Sequence, residues 1–365
     1  MALKPSLREV LSLLREQGAV APGTELRAMT AMEEHWRSAA ATPWYVRVLI
    51  GFGAWMAACF LLFFFGLLIK LREEVAFLLL GLLLCGATAG LRRVSSQIFL
   101  SQLCLAFCLT GQALFLFGLA QITDSATVTA LGVLLLELAL LFLYPDRILR
   151  FLATMGAAQA LLFLAYQSHH LAPVDLTLVA FAALLHFLFL HQARFLRGPL
   201  AVLVSPVSFA LALVFFCVLL GRCFVRLGAD FRMDTAESPI AVLTLGLAVV
   251  TMYTAARILQ EVGLEVSGTA GATVFAALGL TALLTLNTPG VIGAAGILAL
   301  AFHRRSVVML GLAVAFLVGF GVLYYYDLSL SLLAKSGALL GSGLVLLGLR
   351  LFLLRRFPAT TAEVP

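Results

Sequence analysis

Two ionisable side chains, Glu137 and Lys335, stand inside long apolar runs of this chain. An unpaired charge near mid-bilayer costs about 2.5 to 3.5 kcal/mol on insertion scales, so each is expected to face other helices and to have a partner. Both runs are entered from the same side. Glu137 lies about 11 residues in and Lys335 about 7, which at about 1.5 Å per residue gives depths of roughly 16 and 10 Å, a gap that a lysine side chain bridges. A pair of this kind does the chemistry of ion coupling or substrate binding in a transport pathway. It also serves as a structural ion pair, or Glu137 sits neutral and hydrogen-bonded to a neighbour.

Four further polar residues complete the candidate site. Ser331 and Ser342 lie with Lys335 on one face of the last run, while Gly337, Gly341 and Gly348 make a smooth second face for close packing. Gln112 ends a stripe of Gln97, Ser101, Cys104 and Cys108 at spacings of 4, 3, 4 and 4, one face of a helix. That stripe either lines a pathway or lets helices approach and hydrogen-bond, and packing is the preferred reading. His186 is a proton-relay or ligand candidate weighed against a packing histidine. His191, five residues on, is about 140° away around the helix, poor geometry for a shared metal.

The elements that must hold these groups follow from composition. With 62% hydrophobic and 12% charged residues the chain cannot cover the surface of a soluble globule and belongs in lipid. Apolar runs fall near 48–69, 75–91, 98–122, 126–144, 148–166, 174–191, 200–220, 239–256, 268–286, 289–302, 306–326 and 328–354. The fold class is all-α, a polytopic transmembrane helical bundle of about twelve spans, or ten with a re-entrant hairpin. The doubtful pair is the ninth and tenth. Residues 289–302 reach only about 21 Å against a hydrocarbon core of about 30 Å, so either a short, protein-shielded helix crosses or the turn at Asn287-Thr288-Pro289-Gly290 dips below the surface; the first is preferred.

Charge sets the orientation. With the N-terminus inside, 18 of the 24 basic residues fall on the cytoplasmic side, among them Arg92/Arg93, Arg147/Arg150, Arg194/Arg197, Arg257, Arg304/Arg305 and Arg350/Arg355/Arg356. The outer face receives Lys70, Arg72, Arg222, Arg226 and Arg232, each near acids, so both termini are expected in the cytoplasm. The net charge of +6 and pI near 9.2 are thereby explained without nucleic acid. Asp124, Asp146, Asp175 and Asp327 read as helix N-caps at the starts of spans, and Ser238, Thr288 and Ser306 repeat the signal with hydroxyls. Pro206 falls inside the seventh span and predicts a kink. The loop from Gly221 to Ser238, with Phe224, Leu227 and Phe231 at helical offsets, reads as an interfacial helix resting on the headgroups.

Three segments result: residues 1–45, a cytoplasmic amphipathic N-terminal segment; 46–356, the transmembrane domain; and 357–365, a short cytoplasmic tail. The first forty residues carry Leu7, Val10, Leu11 and Leu14 at helical spacing and lack the apolar core and cleavage site of a signal peptide, so this end is expected to be retained. Six cysteines show no metal spacing and no disulfide framework.

Two stretches carry a resemblance: Pro43-Trp44-Tyr45 running into GFGAWMAACFLLFFFG, and YYYDLSLSLLAKSGALLGSGLVLLGLRLFL from Tyr324 to Leu353. They resemble a bacterial multi-pass membrane family known only as a numbered domain of unknown function, and the N-terminal LREQGAV is similar to the start of a related uncharacterised family. The resemblance implies a location in the bacterial inner membrane and an envelope partner of the GDYxxLxY membrane-associated type. It implies no catalytic residue. The chain shows no P-loop, dinucleotide fingerprint, H-E-x-x-H or G-x-S-x-G, so no enzyme activity, cofactor or metal is expected. The expected role is a scaffold or partner subunit of an envelope membrane complex, its main contact the lipid bilayer; the alternative is a secondary transporter or flippase using Glu137 and Lys335.

Overall fold

The computed structural model describes residues 74–94, 97–168, 170–195, 198, 200–227 and 240–327, with scattered positions before and after. Among the described residues the chain is helical and contains no strand. The helices are α1 (Glu74–Val94), α2 (Ile98–Thr123), α3 (Ala126–Leu143), α4 (Arg147–Tyr166), α5 (Ala172–Leu190), α6 (Gln192–Phe195), α7 (Ala201–Leu227), α8 (Ile240–Glu261), α9 (Thr269–Leu284), α10 (Pro289–His303) and α11 (Val307–Asp327). Eight are long and apolar enough to cross a membrane; α9 and α10 are shorter but apolar. Each coincides with an expected run to within a few residues, except that α7 continues past Gly221 to Leu227. The supposed outer loop therefore starts later, because the apolar pattern carries the helix through Arg222. Most of the first and last expected spans, with Lys335, Ser331 and Ser342, lies outside the described residues, as do residues 228–239.

The chain divides into two compact units, Met1–Ile122 and Thr123–Pro365. In the first, α1 and α2 pack antiparallel through glycine. A Cβ on Gly81 would lie 2.6 Å from the Gly111 carbonyl oxygen, and one on Gly118 would lie 2.6 Å from the Leu78 nitrogen. Bare backbone at both places is what lets the two main chains touch. Cys85 Sγ donates to the Cys108 carbonyl at 3.5 Å, so this part of the α2 stripe faces a neighbouring helix.

In the second unit α10 is the central element. It packs between α8 and α11 and also touches α5, α7 and α9. Its sequence PGVIGAAGILALAFH explains this position, since small residues make it thin enough for large side chains to close on it from several sides. Phe215 of α7 abuts Gly293, Phe320 of α11 covers Gly290, and Phe216 stacks on Phe316 at 4.6 Å between centroids. Burying rings of this size dominates the packing of a helical core.

Helix ends correct several expectations. Asp146 caps α4 as expected, accepting from the Ile148 and Leu149 amides at 2.8 and 3.4 Å. Asp124 does not cap α3: Ser125 holds that position, and Asp124 adopts the left-handed φ of 44° that turns the chain between α2 and α3. Asp175 lies inside the first turn of α5, beyond the cap position, and its carboxylate is taken by an arginine. Asp327 is the last residue of α11, and the span it is expected to cap lies mostly outside the described residues. Thr288 occupies the N-cap of α10 without a side-chain cap bond. Pro206 lies within α7, which runs on through it.

A fixed register relates α8 and α10. Thr244 Oγ1 donates to the Leu286 carbonyl at 2.7 Å, Thr251 Oγ1 to the Ile292 carbonyl at 3.4 Å, and Glu261 accepts from His303 and Arg304 at 2.8 and 3.0 Å. The partners are 42, 41, 42 and 43 residues apart, so the two helices run parallel. Residues 286–304 keep level with α8 from Thr244 to Glu261, a rise of about 26 Å. The turn before α10 lies about one helical turn inside the start of α8, with Thr285 and Thr288 buried.

Candidate functional site

His186 and Glu137 are the candidate residues the structure describes in the second unit, and each is seated in a notch left by a glycine. His186 lies on the buried face of α5 with Leu178, Phe181, Ala182 and Leu185. Its Nδ1 hydrogen-bonds the Ala182 carbonyl at 2.7 Å. A carbonyl only accepts, so Nδ1 carries the proton and the ring is held to its own helix. Nε2 is buried and lies against the Gly296 backbone without a hydrogen bond of good geometry. A Cβ at Gly296 would stand 3.1 Å from that nitrogen and 2.6 Å from Thr251 Oγ1.

Glu137 is 6% exposed on α3, at the contact with α4. Its carboxyl fills the space over Gly156, where a Cβ would lie 2.9 Å from both Cδ and Oε1. Oε2 is buried without a hydrogen-bond partner among the described residues. Gln112, half-buried on α2, belongs to the first unit, and its Nε2 is likewise buried and unpartnered there. Glu137 and His186 occupy different helix contacts, α3 with α4 and α5 with α8 and α10. The expected pairing of Glu137 with Lys335, and the roles of Ser331 and Ser342, fall outside the described residues. Among the described residues no three of His, Cys, Asp and Glu come together in a way that could hold a metal ion.

The charged groups that the structure brings together lie at the two ends of the second unit. At the end where α5 begins and α7 ends, Arg222 Nη2 donates to both Asp175 oxygens at 3.0 and 3.1 Å, tying residues 47 apart in sequence. With the two side chains 16% and 6% exposed, this pair is largely withdrawn from water. At the opposite end Arg304 joins three helices: its Nη2 donates to the Leu190 carbonyl at 2.6 Å and to Glu261 at 3.0 Å, while Glu261 also takes His303 at 2.8 Å. Neither cluster was legible as a pair. Asp175 carried the signal of a cap, and Arg304 that of a basic edge. The available hint was Glu261, which with Glu265 puts two carboxylates in a joint expected on the basic side.

The arrangement thus consists of buried polar groups fitted tightly into helix contacts, with ion pairs clamping the helix ends. No curated protein and no solved structure matches the chain. The family match extends over residues 43–356. The chain belongs to the family described as Domain of unknown function (DUF4401).

Proposed function

We propose that this membrane protein is a scaffold or partner subunit of an envelope membrane complex, without enzymatic activity of its own. The observation that carries the reading is the fit of Glu137 and His186 into the notches at Gly156 and Gly296, where not even a methyl group has room. A contact so closed serves packing. On this reading the protein sits in a bacterial inner membrane with both termini cytoplasmic and α10 crossing fully. Its partner is of the GDYxxLxY membrane-associated type that the resemblance implies.

The second reading is a secondary transporter. The observation that favours it is the Oε2 of Glu137, buried and unpartnered among the described residues, the group on which ion coupling through a pairing with Lys335 would turn. Glu137→Gln and Lys335→Met, singly and together, separate the two. The scaffold reading expects lowered protein level in either single variant and recovery in the double. Normal levels in all three, together with loss of an ion-gradient-dependent flux in reconstituted vesicles, would replace it with transport. Cross-linking in native membranes tests partnership directly, and a chain that is wholly uncomplexed there would refute the scaffold role.

A further inference from the structure

A cleft of about 110 Å³ opens in the second unit where α5 ends, α7 begins and α10 turns into α11. Its polar lining is Gln192, Ser205, Ser208, Arg304 and Ser306, and none of its lining residues is acidic. Apolar walls, Phe189 among them, raise the strength of any electrostatic contact made inside. Two of the polar groups are unspent. Ser208 is 1% exposed yet its hydroxyl has no hydrogen-bond partner among the described residues, and Arg304 Nε is buried and equally unpartnered there. A buried polar atom left unsatisfied costs about 1 to 3 kcal/mol, and both of these residues line the cleft. The Arg304 head is already fixed by the Leu190 carbonyl and Glu261, so it is presented without further ordering.

We propose that this cleft binds a phosphate group. A fixed guanidinium after α10, two serine hydroxyls of α7, a third at Ser306 and the Gln192 amide supply donors around a tetrahedral anion, the pattern by which arginine sites select phosphate. Orphaned Ser208 and Arg304 Nε are the donors that such a group satisfies. Phosphate chemistry reaches this end of the helices from two sources, a phospholipid headgroup or inorganic phosphate in solution. The site is independent of the scaffold reading, since it uses neither Glu137 nor His186.

The test uses the purified full chain in a phosphate-free maltoside detergent, alone, with added phosphatidylglycerol, and titrated with inorganic phosphate. The readouts are lipid retained in native mass spectrometry and the shift in thermal unfolding. Ser205→Asp sets a negative charge at an exposed lining position without touching the core. Ile148→Asp adds the same charge on α4, outside the cleft and exposed, as the control for general attraction. The site predicts that Ser205→Asp weakens binding at least about tenfold, equivalent to about 1.4 kcal/mol, while Ile148→Asp changes it less than about twofold. Ser208→Ala should weaken it several-fold. A response to phosphatidylglycerol alone identifies a headgroup, and one to inorganic phosphate identifies the free anion. No response to either probe, or equal loss in Ser205→Asp and Ile148→Asp, overturns the proposal.

Discussion

Replacing Gly296 by alanine sets a methyl carbon 2.6 Å from Thr251 Oγ1, 3.1 Å from His186 Nε2 and 3.2 Å from Thr251 Cγ2. Neither neighbour yields readily. Threonine on a helix has few χ1 choices, and the histidine ring is tethered to Ala182. Overpacking of this kind costs about 1 to 3 kcal/mol, opposed by the roughly 0.8 to 1 kcal/mol gained when alanine replaces glycine inside a helix. Gly319→Ala on α11 isolates that gain, because nothing lies within 4 Å of its Cβ position. Gly296→Ala should therefore be less stable than Gly319→Ala by about 1 to 3 kcal/mol in SDS-induced unfolding from mixed micelles, followed by far-UV circular dichroism. Thr251→Ala removes two of the three atoms nearest the new methyl and loses only a long 3.4 Å bond, so the double variant should recover at least about 1 kcal/mol relative to additivity. Equal stability of Gly296→Ala and Gly319→Ala, or strict additivity with Thr251→Ala, would refute the closed contact on which the functional reading rests.

Other perturbations probe the ends and the second notch. Arg222→Met takes the guanidinium away from the buried Asp175 carboxylate and should cost up to about 3 to 5 kcal/mol, whereas Arg222→Met with Asp175→Asn should cost clearly less; equal losses would mean the pair is already solvated. Asp146→Ala should lose about 1 kcal/mol with its two capping bonds, while Asp124→Gly should lose none, since Ser125 is the cap and glycine takes the left-handed φ freely; thermal unfolding of the two variants decides this. Gly156→Ala should be destabilising, and Glu137→Ala should relieve it, by the same coupling measurement.

Helix positions were legible because the signal is one-dimensional: a helix in lipid must satisfy its own backbone bonds, so each apolar run of sufficient length declares a helix. The runs at 126–144 and 148–166 recur as α3 and α4 for that reason, and Asp146 announced its cap locally. Glu137 and His186 stood out as costly groups by the same logic. Their surroundings did not, because no feature near Glu137 in sequence points to Gly156 as the residue that receives it.

From sequence alone came the membrane class, the order of helices, the paired basic joints and the polar residues that need burial. These follow from hydropathy and charge counted along the chain. Only the tertiary structure decided which partners those residues have: Arg222 for Asp175, Glu261 for Arg304, Gly296 for His186, and the register that sets α10 level with α8. The reason is physical. Lipid is as apolar as leucine and gives little preference for one helix pairing over another, so the choice falls to shape, to glycine notches and to a few charges tens of residues apart.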